Sequence, residues 1–194
     1  MKKKILVIVL LVGVILLNIA LDQVSKIIAR HELEGQGTMN IVGEIFIMTY
    51  VENDGAFLGM GGDLPEPLKS ILLTIGPLIV LIIMAGMIFI DKDAVLFNGL
   101  IKKVDFTIAE RIVMACIIGG GVSNIMERLV SGKVADFLNF GIPPVDWLRT
   151  GILNVADLSI FFGAVVFLIL LSIKEQKIKK QKQQEHAVQP AKPE

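Results

Sequence analysis

Two aspartates in apolar stretches are the residues of this sequence best suited to chemistry. Asp136 lies within residues 134–138 and Asp157 within residues 154–158, and neither has a lysine or arginine at pairing distance in the sequence. A carboxylate in apolar surroundings is costly, so it is by default a candidate for proton transfer, in an enzyme or in a transporter. Structural explanations are also open: Asn154 with Asp157 resembles a helix-capping arrangement, and Asp136 could be an outward-facing strand residue.

Other polar residues form candidate pairs near the ends of apolar runs. Asp22 and Lys26 are spaced i and i+4, where an ion pair on one helix face forms readily, and we interpret them as a structural pair that stabilises the first helix. Asn124 and Arg128 are expected just beyond the third helix. There the guanidinium could hold a carboxylate, a substrate carbonyl or a lipid phosphate, and an interfacial anchor is an equally good explanation.

The composition indicates that a membrane surrounds the elements that position these residues. Hydrophobic residues make up 54% of the chain and mean hydropathy is +0.71, outside the usual range of a soluble domain. The formal net charge of zero argues against nucleic acid as a partner. Four runs are long enough to cross a hydrocarbon core of about 30 Å. We predict an all-α integral membrane protein whose four transmembrane helices run from Ile5 to Leu21, from Ile71 to Ile90, from Val104 to Val122 and from Leu153 to Ile173.

The distribution of lysine and arginine predicts the orientation of these helices. The N-terminal segment, the short loop between the second and third helices and the C-terminal segment are rich in lysine, whereas the two long connections contain few basic residues for their length. Because cytoplasmic loops carry the basic excess, both termini are predicted to be cytoplasmic. Residues 1–173 are predicted to form one membrane-embedded domain, and the Lys- and Gln-rich residues 174–194 a disordered cytoplasmic tail.

The long outer connections contain strand signals. The stretch from Ile41 to Val51 is rich in β-branched and aromatic residues and is followed by Asn53-Asp54-Gly55, a turn pattern. Residues 133–140 alternate approximately between apolar and polar positions. We therefore expect a small extracytoplasmic β-rich region, in which residues 41–60 would lie over the candidate site as a movable cover.

Five groups of residues follow one another along the predicted helices and their outer connections. They are Leu21, Asp22, Gln23 and Lys26; Asn53, Gly55, Ala56 and Gly59; Gly120, Gly121, Asn124 and Arg128; Gly132, Val134, Asp136 and Phe137; and Asn154, Ala156, Asp157 and Gly163. In this order they resemble the motifs of the lipoprotein signal peptidase family, signal peptidase II. The resemblance implies an aspartyl protease that removes the signal peptide of diacylglyceryl-modified prolipoproteins at the outer face of the bacterial cytoplasmic membrane.

The resemblance also implies roles for individual residues, since Asp136 and Asp157 match the two catalytic aspartates of the family. Peptide hydrolysis by two carboxyl groups requires a shared proton, one group acting as base toward water and the other as acid. Asp157, at a predicted helix start, is expected to be the base. The remaining matched polar and glycine residues of the outer side are expected to bind substrate or support the site: Asn53, Gly55, Asn124, Arg128 and Asn154.

Two motifs depart from the usual family pattern. Ser123 and Glu127 stand where the family usually has Gly and Asp, and Phe57 and Leu58 stand where it usually has Ala and Phe. All four departures leave the candidate aspartates and asparagines unchanged. We expect them to affect substrate preference more than the chemistry.

No metal or cofactor is expected, because the two histidines lie in a polar loop and in the tail, without zinc-ligand spacing. The expected partners are lipid-modified prolipoproteins and membrane lipids, without nucleic acid and without an obligate protein partner. A small non-proteolytic membrane transporter or a scaffold is the alternative. A transporter should carry its charges near the middle of its helices, whereas both aspartates are predicted at the outer boundary.

Overall fold

The computed structural model describes residues 2–55, 60–89, 106–143, 145 and 148–188. Within these residues, four helical segments are long and apolar enough to cross a membrane, which confirms the predicted fold class. The first is α1 (Lys2–Leu33), and the second is built from α2 (Glu66–Ser70), a π-helical turn (Ile71–Ile75) and α3 (Gly76–Phe89). The third and fourth are α4 (Ile108–Ser131) and α5 (Val155–Val188).

Three helices extend further at one end of the bundle than hydropathy predicted. α1 continues past Leu21, the second helical segment begins before Ile71, and α4 continues past Val122. Hydropathy detects only the lipid-facing part of a helix, whereas these extensions carry polar residues that pack against one another and against a sheet. Asn124 and Arg128 therefore lie within the last turns of α4, and the expectation that they fall just beyond the helix is wrong.

Local signals fix the two ends of α4. Thr107 is the N-cap and forms a capping box with Glu110, so the helix begins at Ile108, after the predicted start at Val104. Gly132 ends the helix in the left-handed conformation with φ of 76°. Val104 itself, and Ile90 at the predicted end of the second helix, lie outside the described residues.

The C-terminal segment differs from the predicted unstructured tail, because α5 continues through it to Val188. Lysine, glutamine and glutamate have good helix propensity, and extending an existing helix requires no new nucleus. Glu175 and Lys179 add an i,i+4 ion pair at 2.7 Å. Residues 189–194 lie outside the described part of the chain.

A three-stranded antiparallel sheet confirms the predicted β-rich region. Its strands are β1 (Met39–Val42), β2 (Phe46–Asn53) and β3 (Val134–Phe140), in the order β1-β2-β3. The hairpin turn lies at residues 43–45, where Gly43 has a positive φ of 53°. The predicted turn pattern Asn53-Asp54-Gly55 instead follows the end of β2, and residues 56–59 lie outside the described part of the chain.

Close helix packing depends on two glycines of α4. A Cβ on Gly119 would lie 2.6 Å from the Cβ of Asn18 on α1, and a Cβ on Gly120 would lie 2.7 Å from the carbonyl oxygen of Ala156 on α5. Both distances are shorter than real contacts, so a side chain at either position would push the neighbouring helix away. The glycines thus bring α4 close to α1 on one side and to the start of α5 on the other.

The sheet is held at one end of the helix bundle by a small apolar cluster. Ala29 and Leu33 near the end of α1 pack with Phe137 and Leu138 of β3 and with Leu153, which precedes α5. Because the chain runs up α1 and α4 and down α5, this end also receives the last turns of α4 and the first turn of α5. Every candidate site residue in the described part of the chain therefore lies near the same end.

Candidate active site

Backbone pairing between β3 and the segment before α5 positions the two aspartates. The N–H groups of Phe137 and Leu138 donate to the carbonyl of Leu153 at 2.8 and 2.7 Å, and the N–H of Leu153 donates back to Leu138 at 2.7 Å. The chain consequently enters α5 beside β3. Asp136 is only 3% exposed, so the interpretation of Asp136 as an outward-facing strand carboxylate is wrong.

Both carboxylate oxygens of Asp136 accept hydrogen bonds from asparagine side chains. Nδ2 of Asn154 donates to Oδ1 at 2.6 Å, and Nδ2 of Asn53, the last residue of β2, donates to Oδ2 at 2.8 Å. The side-chain oxygen of Asn53 accepts the N–H of Gly55 at 2.9 Å, which fixes the orientation of the amide. Asn154 is fully buried. The two amides hold Asp136 in one orientation on the inner face of the sheet.

Asp157 is held by a reciprocal cap at the start of α5. Its Oδ2 accepts the N–H of Asn154 at 3.1 Å, while Oδ1 of Asn154 accepts the N–H of Asp157 at 2.9 Å. The other oxygen, Oδ1, accepts Nδ2 of Asn124 on α4 at 3.0 Å. The capping arrangement is present, and it joins the two aspartates. Asn154 donates its backbone N–H to Asp157 and its side-chain N–H to Asp136.

Burial changes the acidity of Asp136. Removal of the carboxyl group from water raises the pKa of Asp136 to about 6, and the nearby negative charge of Asp157 acts in the same direction. The hydrogen bonds from Asn53 and Asn154 favour the ionised form and oppose this increase without cancelling it. An Asp136 that holds its proton to higher pH than an ordinary aspartate is suited to donate one.

Arg128 is connected to this site through the segment that follows β2. Its Nη2 donates to the carbonyl of Gly55 at 2.9 Å. Its Nε is buried and, among the described residues, has no hydrogen-bond partner. Asp136 and Asp157 are both close enough to act on the guanidinium electrostatically. An oriented guanidinium beside two carboxyl groups, whose buried Nε has no partner among the described residues, is suited to bind a polar group of a ligand.

Asp22 and Lys26 form the predicted i,i+4 ion pair, with 2.7 Å between Nζ and Oδ2. The pair is buried, since the side chains of Lys26 and Asp22 are 3% and 0% exposed, and the expectation of a simple helix-end pair is therefore too limited. Lys26 also contacts Oδ1 of Asn124 at 2.8 Å and Oε2 of Glu127 at 2.7 Å. This pair thus adjoins the residues that hold Asp157.

Ser123 and Glu127 are the site residues whose roles the sequence did not reveal. Oγ of Ser123 donates to Asp22 at 2.7 Å, and Glu127 contacts Lys26. Both were noted only as departures from the family pattern. Ser123 and Glu127 are spaced i and i+4, which places their side chains on one face of α4, and this spacing was the available signal.

Other predicted site features fall outside this cluster. The described residues exclude Phe57 and Leu58, together with Ala56 and Gly59 of the same motif. The side chain of His186 is also outside the described part of the structure. Among the residues that the structure describes, no group of three His, Cys, Asp or Glu side chains is arranged to hold a metal ion.

Comparison with known proteins gives the family of the chain. A family model described as signal peptidase II, peptidase family A8, matches residues 14–173. The lipoprotein signal peptidase of Sulfurihydrogenibium sp. (strain YO3AOP1) is 32% identical over 168 residues, covering 87% of this chain and 92% of that protein. The lipoprotein signal peptidase of Moorella thermoacetica is 29% identical, covering 83% of this chain and 93% of that protein.

A solved structure described as a bacterial membrane enzyme superimposes with a TM-score of 0.65 and 22% sequence identity, covering 87% of this chain and 90% of that one. Four helices long and apolar enough to cross a membrane, with a small sheet at one end and the carboxyl groups of Asp136 and Asp157 near that sheet, fit a membrane-embedded enzyme. The chain belongs to the signal peptidase II family. The predicted family and enzyme class are confirmed.

Proposed function

We propose that Asp136 and Asp157 are the catalytic dyad with which this peptidase removes the signal peptide from diacylglyceryl-modified prolipoproteins. The observation that carries the proposal is Asn154, which donates to Asp136 at 2.6 Å and caps α5 together with Asp157. A single buried side chain thus holds both carboxyl groups beside each other. Two neighbouring carboxyl groups retain one proton between them, which supplies the acid and the base that peptide hydrolysis needs.

The two aspartates differ in environment, and this supports different roles. Asp157 lies in the first turn of α5, where the helix dipole and the N–H of Asn154 stabilise a negative charge. Asp136 is buried in β3 with a raised pKa. We assign Asp157 as the base that activates water and Asp136 as the acid that protonates the substrate carbonyl, with the proton shared by the pair.

Residues around the dyad are proposed to position the substrate. The buried Nε of Arg128 is available to a carbonyl oxygen of the peptide or to another polar substrate group. Asn53, at the end of the central strand β2, donates to Asp136, and the carbonyl of Gly55 holds Arg128 in place. Asn124 and Asn154 support Asp157 directly.

We place the dyad at the outer face of the bacterial cytoplasmic membrane, with both termini in the cytoplasm. The lysines near the start of α1 and those after residue 173 lie at the bundle end opposite the sheet, in agreement with the positive-inside rule. Many apolar side chains of α1, α3 and α5 are exposed, as contact with membrane lipids requires. The peptidase is proposed to act without an obligate protein partner. Residues 174–194, into which α5 continues as far as Val188, are proposed to lie in the cytoplasm.

The test is cleavage of a purified diacylglyceryl-modified prolipoprotein by the purified chain in detergent or lipid, beside the same precursor without the lipid. We expect a single cut that releases the signal peptide from the modified precursor only. Cutting of both precursors would contradict the lipid requirement. Failure to cut either one, with a folded preparation and a second family member as a positive control, would contradict the proposed activity and favour a scaffold or transporter.

A further inference from the structure

We propose that Lys26, Asp22 and Glu127 form a positioning cluster that fixes the separation of the two aspartates. None of the three is proposed to touch the substrate. Lys26 comes from α1 and Glu127 from α4, whereas Asp136 and Asp157 come from β3 and α5. The cluster therefore joins four elements, and the inference rests on the proposed dyad.

The ammonium of Lys26 is the centre of the cluster and uses all three of its donors. It contacts Oδ2 of Asp22 at 2.7 Å, Oε2 of Glu127 at 2.7 Å and Oδ1 of Asn124 at 2.8 Å. Its side chain is 3% exposed, so these contacts replace water. A buried ammonium with three oxygen partners holds those oxygens in a fixed arrangement, and losing one partner would leave a buried charge incompletely compensated.

Each carboxylate of the cluster also holds the backbone directly before one aspartate. Oε2 of Glu127 accepts the N–H of Ala135, the residue before Asp136, at 3.2 Å. Oδ1 of Asp22 accepts the N–H of Ala156, the residue before Asp157, at 2.8 Å. Through Glu127 and Asp22, the same ammonium thus connects the backbone N–H groups of Ala135 and Ala156. A shift of the Glu127 carboxylate would therefore move Asp136, and a shift of the Asp22 carboxylate would move Asp157.

The third contact of Lys26 reaches the dyad through a side chain. Asn124 accepts from Lys26 with Oδ1 and donates to Oδ1 of Asp157 with Nδ2 at 3.0 Å. Lys26 therefore fixes which end of the amide faces Asp157. Ser123 completes the arrangement by donating to Asp22 at 2.7 Å while accepting Nε2 of Gln23 at 2.9 Å.

The two departures in the α4 motif both affect this cluster, because Glu127 is one of its members and Ser123 bonds to Asp22. Glu127 stands where the family usually has Asp, and the longer side chain bonds to both Lys26 and the N–H of Ala135. Ser123 stands where the family usually has Gly and supplies an additional donor to Asp22. These departures therefore bear on the geometry of the dyad in this chain and contact its supporting residues directly.

The effect of the carboxylate charge and the effect of side-chain length can be tested separately with three variants and a matched control. Glu127→Gln and Asp22→Asn each remove one negative charge and keep the side-chain size. Glu127→Asp keeps the charge but shortens the side chain by one methylene. The control is Glu52→Gln, because Glu52 forms an exposed ion pair with Lys133 at 3.2 Å and holds no backbone group before an aspartate in the described hydrogen bonds.

We expect Glu127→Gln, Asp22→Asn and Glu127→Asp to lower kcat by about 10- to 100-fold with little change in KM, since small displacements of reacting groups have effects of this size. The two charge-removing variants should also move the acidic limb of the pH dependence of kcat/KM to lower pH by about 0.5 unit or more. A negative charge next to the dyad opposes loss of its shared proton. Glu127→Asp and Glu52→Gln should not change the pH of the acidic limb of kcat/KM.

Among the described residues, the charged groups that face the cluster, besides its own members, are Arg30 of α1, Arg128 of α4, Asp136 of β3 and Asp157 of α5. They are the same in all variants. A purely structural role would lower the melting temperature and the active fraction without moving the limb. Unchanged kcat in folded Glu127→Gln and Glu127→Asp, or reduced kcat with an unmoved limb in Glu127→Gln, would overturn the proposal.

One further measurement separates this inference from the proposed dyad. Asp136→Asn is assayed in parallel, and substantial activity in that variant would contradict the dyad itself. An inactive Asp136→Asn together with fully active cluster variants would contradict only the positioning role. If the fully buried Asp22→Asn does not fold, the decision rests on the Glu127 variants, because that side chain is 15% exposed and tolerates change more readily.

Discussion

The raised pKa of Asp136 predicts a specific dependence of stability on pH, and Asp136→Asn removes it. The pKa is 3.8 for an ordinary aspartate and about 6 for Asp136 in the folded protein. This difference of about two units corresponds to about 3 kcal/mol of unfolding free energy. The side chain is only 3% exposed, so solvent screens little of this effect.

The direction of this pH dependence of stability follows from whether the folded or the unfolded chain holds the proton of Asp136 more tightly. Below about pH 3.8 Asp136 is protonated in the folded and in the unfolded chain, and the group has no effect on the balance. Between about pH 3.8 and 6 the unfolded chain releases the proton while the folded protein keeps it, so stability decreases as pH rises. Above about pH 6 both states are ionised and the full destabilisation of about 3 kcal/mol is present.

The assay compares thermal unfolding of wild type and Asp136→Asn in one detergent from pH 4 to pH 8. The amide does not titrate, so the melting temperature of the variant relative to wild type should increase by about 5 to 10 °C between pH 4 and pH 7. A constant offset from the changed hydrogen bonds with Asn53 and Asn154 does not affect this difference. Asp54→Asn is the control of opposite sign, because Lys69 lowers the pKa of the exposed Asp54. A pH-independent difference between wild type and Asp136→Asn would refute the assignment of a buried carboxyl that resists ionisation.

Three further predictions concern packing, substrate binding and topology. Gly120→Ala places a Cβ 2.7 Å from the carbonyl oxygen of Ala156 and should lower stability by about 1 to 3 kcal/mol and reduce cleavage. A Cβ at Gly13 would have no atom within 4 Å, so Gly13→Ala should lower neither stability nor cleavage in the same unfolding and cleavage assays. Arg128→Lys cannot both hold Gly55 and present a second oriented donor, so KM measured with the lipid-modified precursor should rise about tenfold or more while Arg149→Lys leaves it unchanged. A reporter fused after residue 93 should be cytoplasmic and one inserted near residue 35 should be outside, and the reverse result would invert the proposed orientation.

Sequence patterns predicted the fold class because hydropathy is a local property that a single chain records directly. Four apolar runs gave four membrane helices, and strand signals in the outer connections gave the sheet. Hydropathy could not predict the ends of α1 and α4 that lie near the sheet, because these turns are polar and owe their helical form to packing. The continuation of α5 beyond Ile173 was missed for a related reason, since low apolar content was taken as disorder although the residues favour helix.

The candidate site was only partly predictable for a different reason. Asp136, Asp157 and Asn154 were identified as candidates, and the cap between Asn154 and Asp157 was visible in their spacing. The amide of Asn154 reaching Asp136 depends on the pairing of Leu153 with β3, which is a long-range contact. The burial of Lys26 likewise depends on α4 lying against α1, which no local pattern in the sequence of α1 indicates.

The most direct test of the central claim is cleavage of a diacylglyceryl-modified prolipoprotein by Asp136→Asn, by Asp157→Asn and by the double variant. Asp63→Asn, which changes an exposed aspartate on the same side of the bundle, is the control. We expect each single amide variant to fold but to lose cleavage by at least about 1000-fold. The double variant should be hardly worse because the two groups act as one unit, and Asp63→Asn should be fully active. Substantial cleavage by either single variant, with mass spectrometry excluding deamidation back to aspartate, would contradict the dyad.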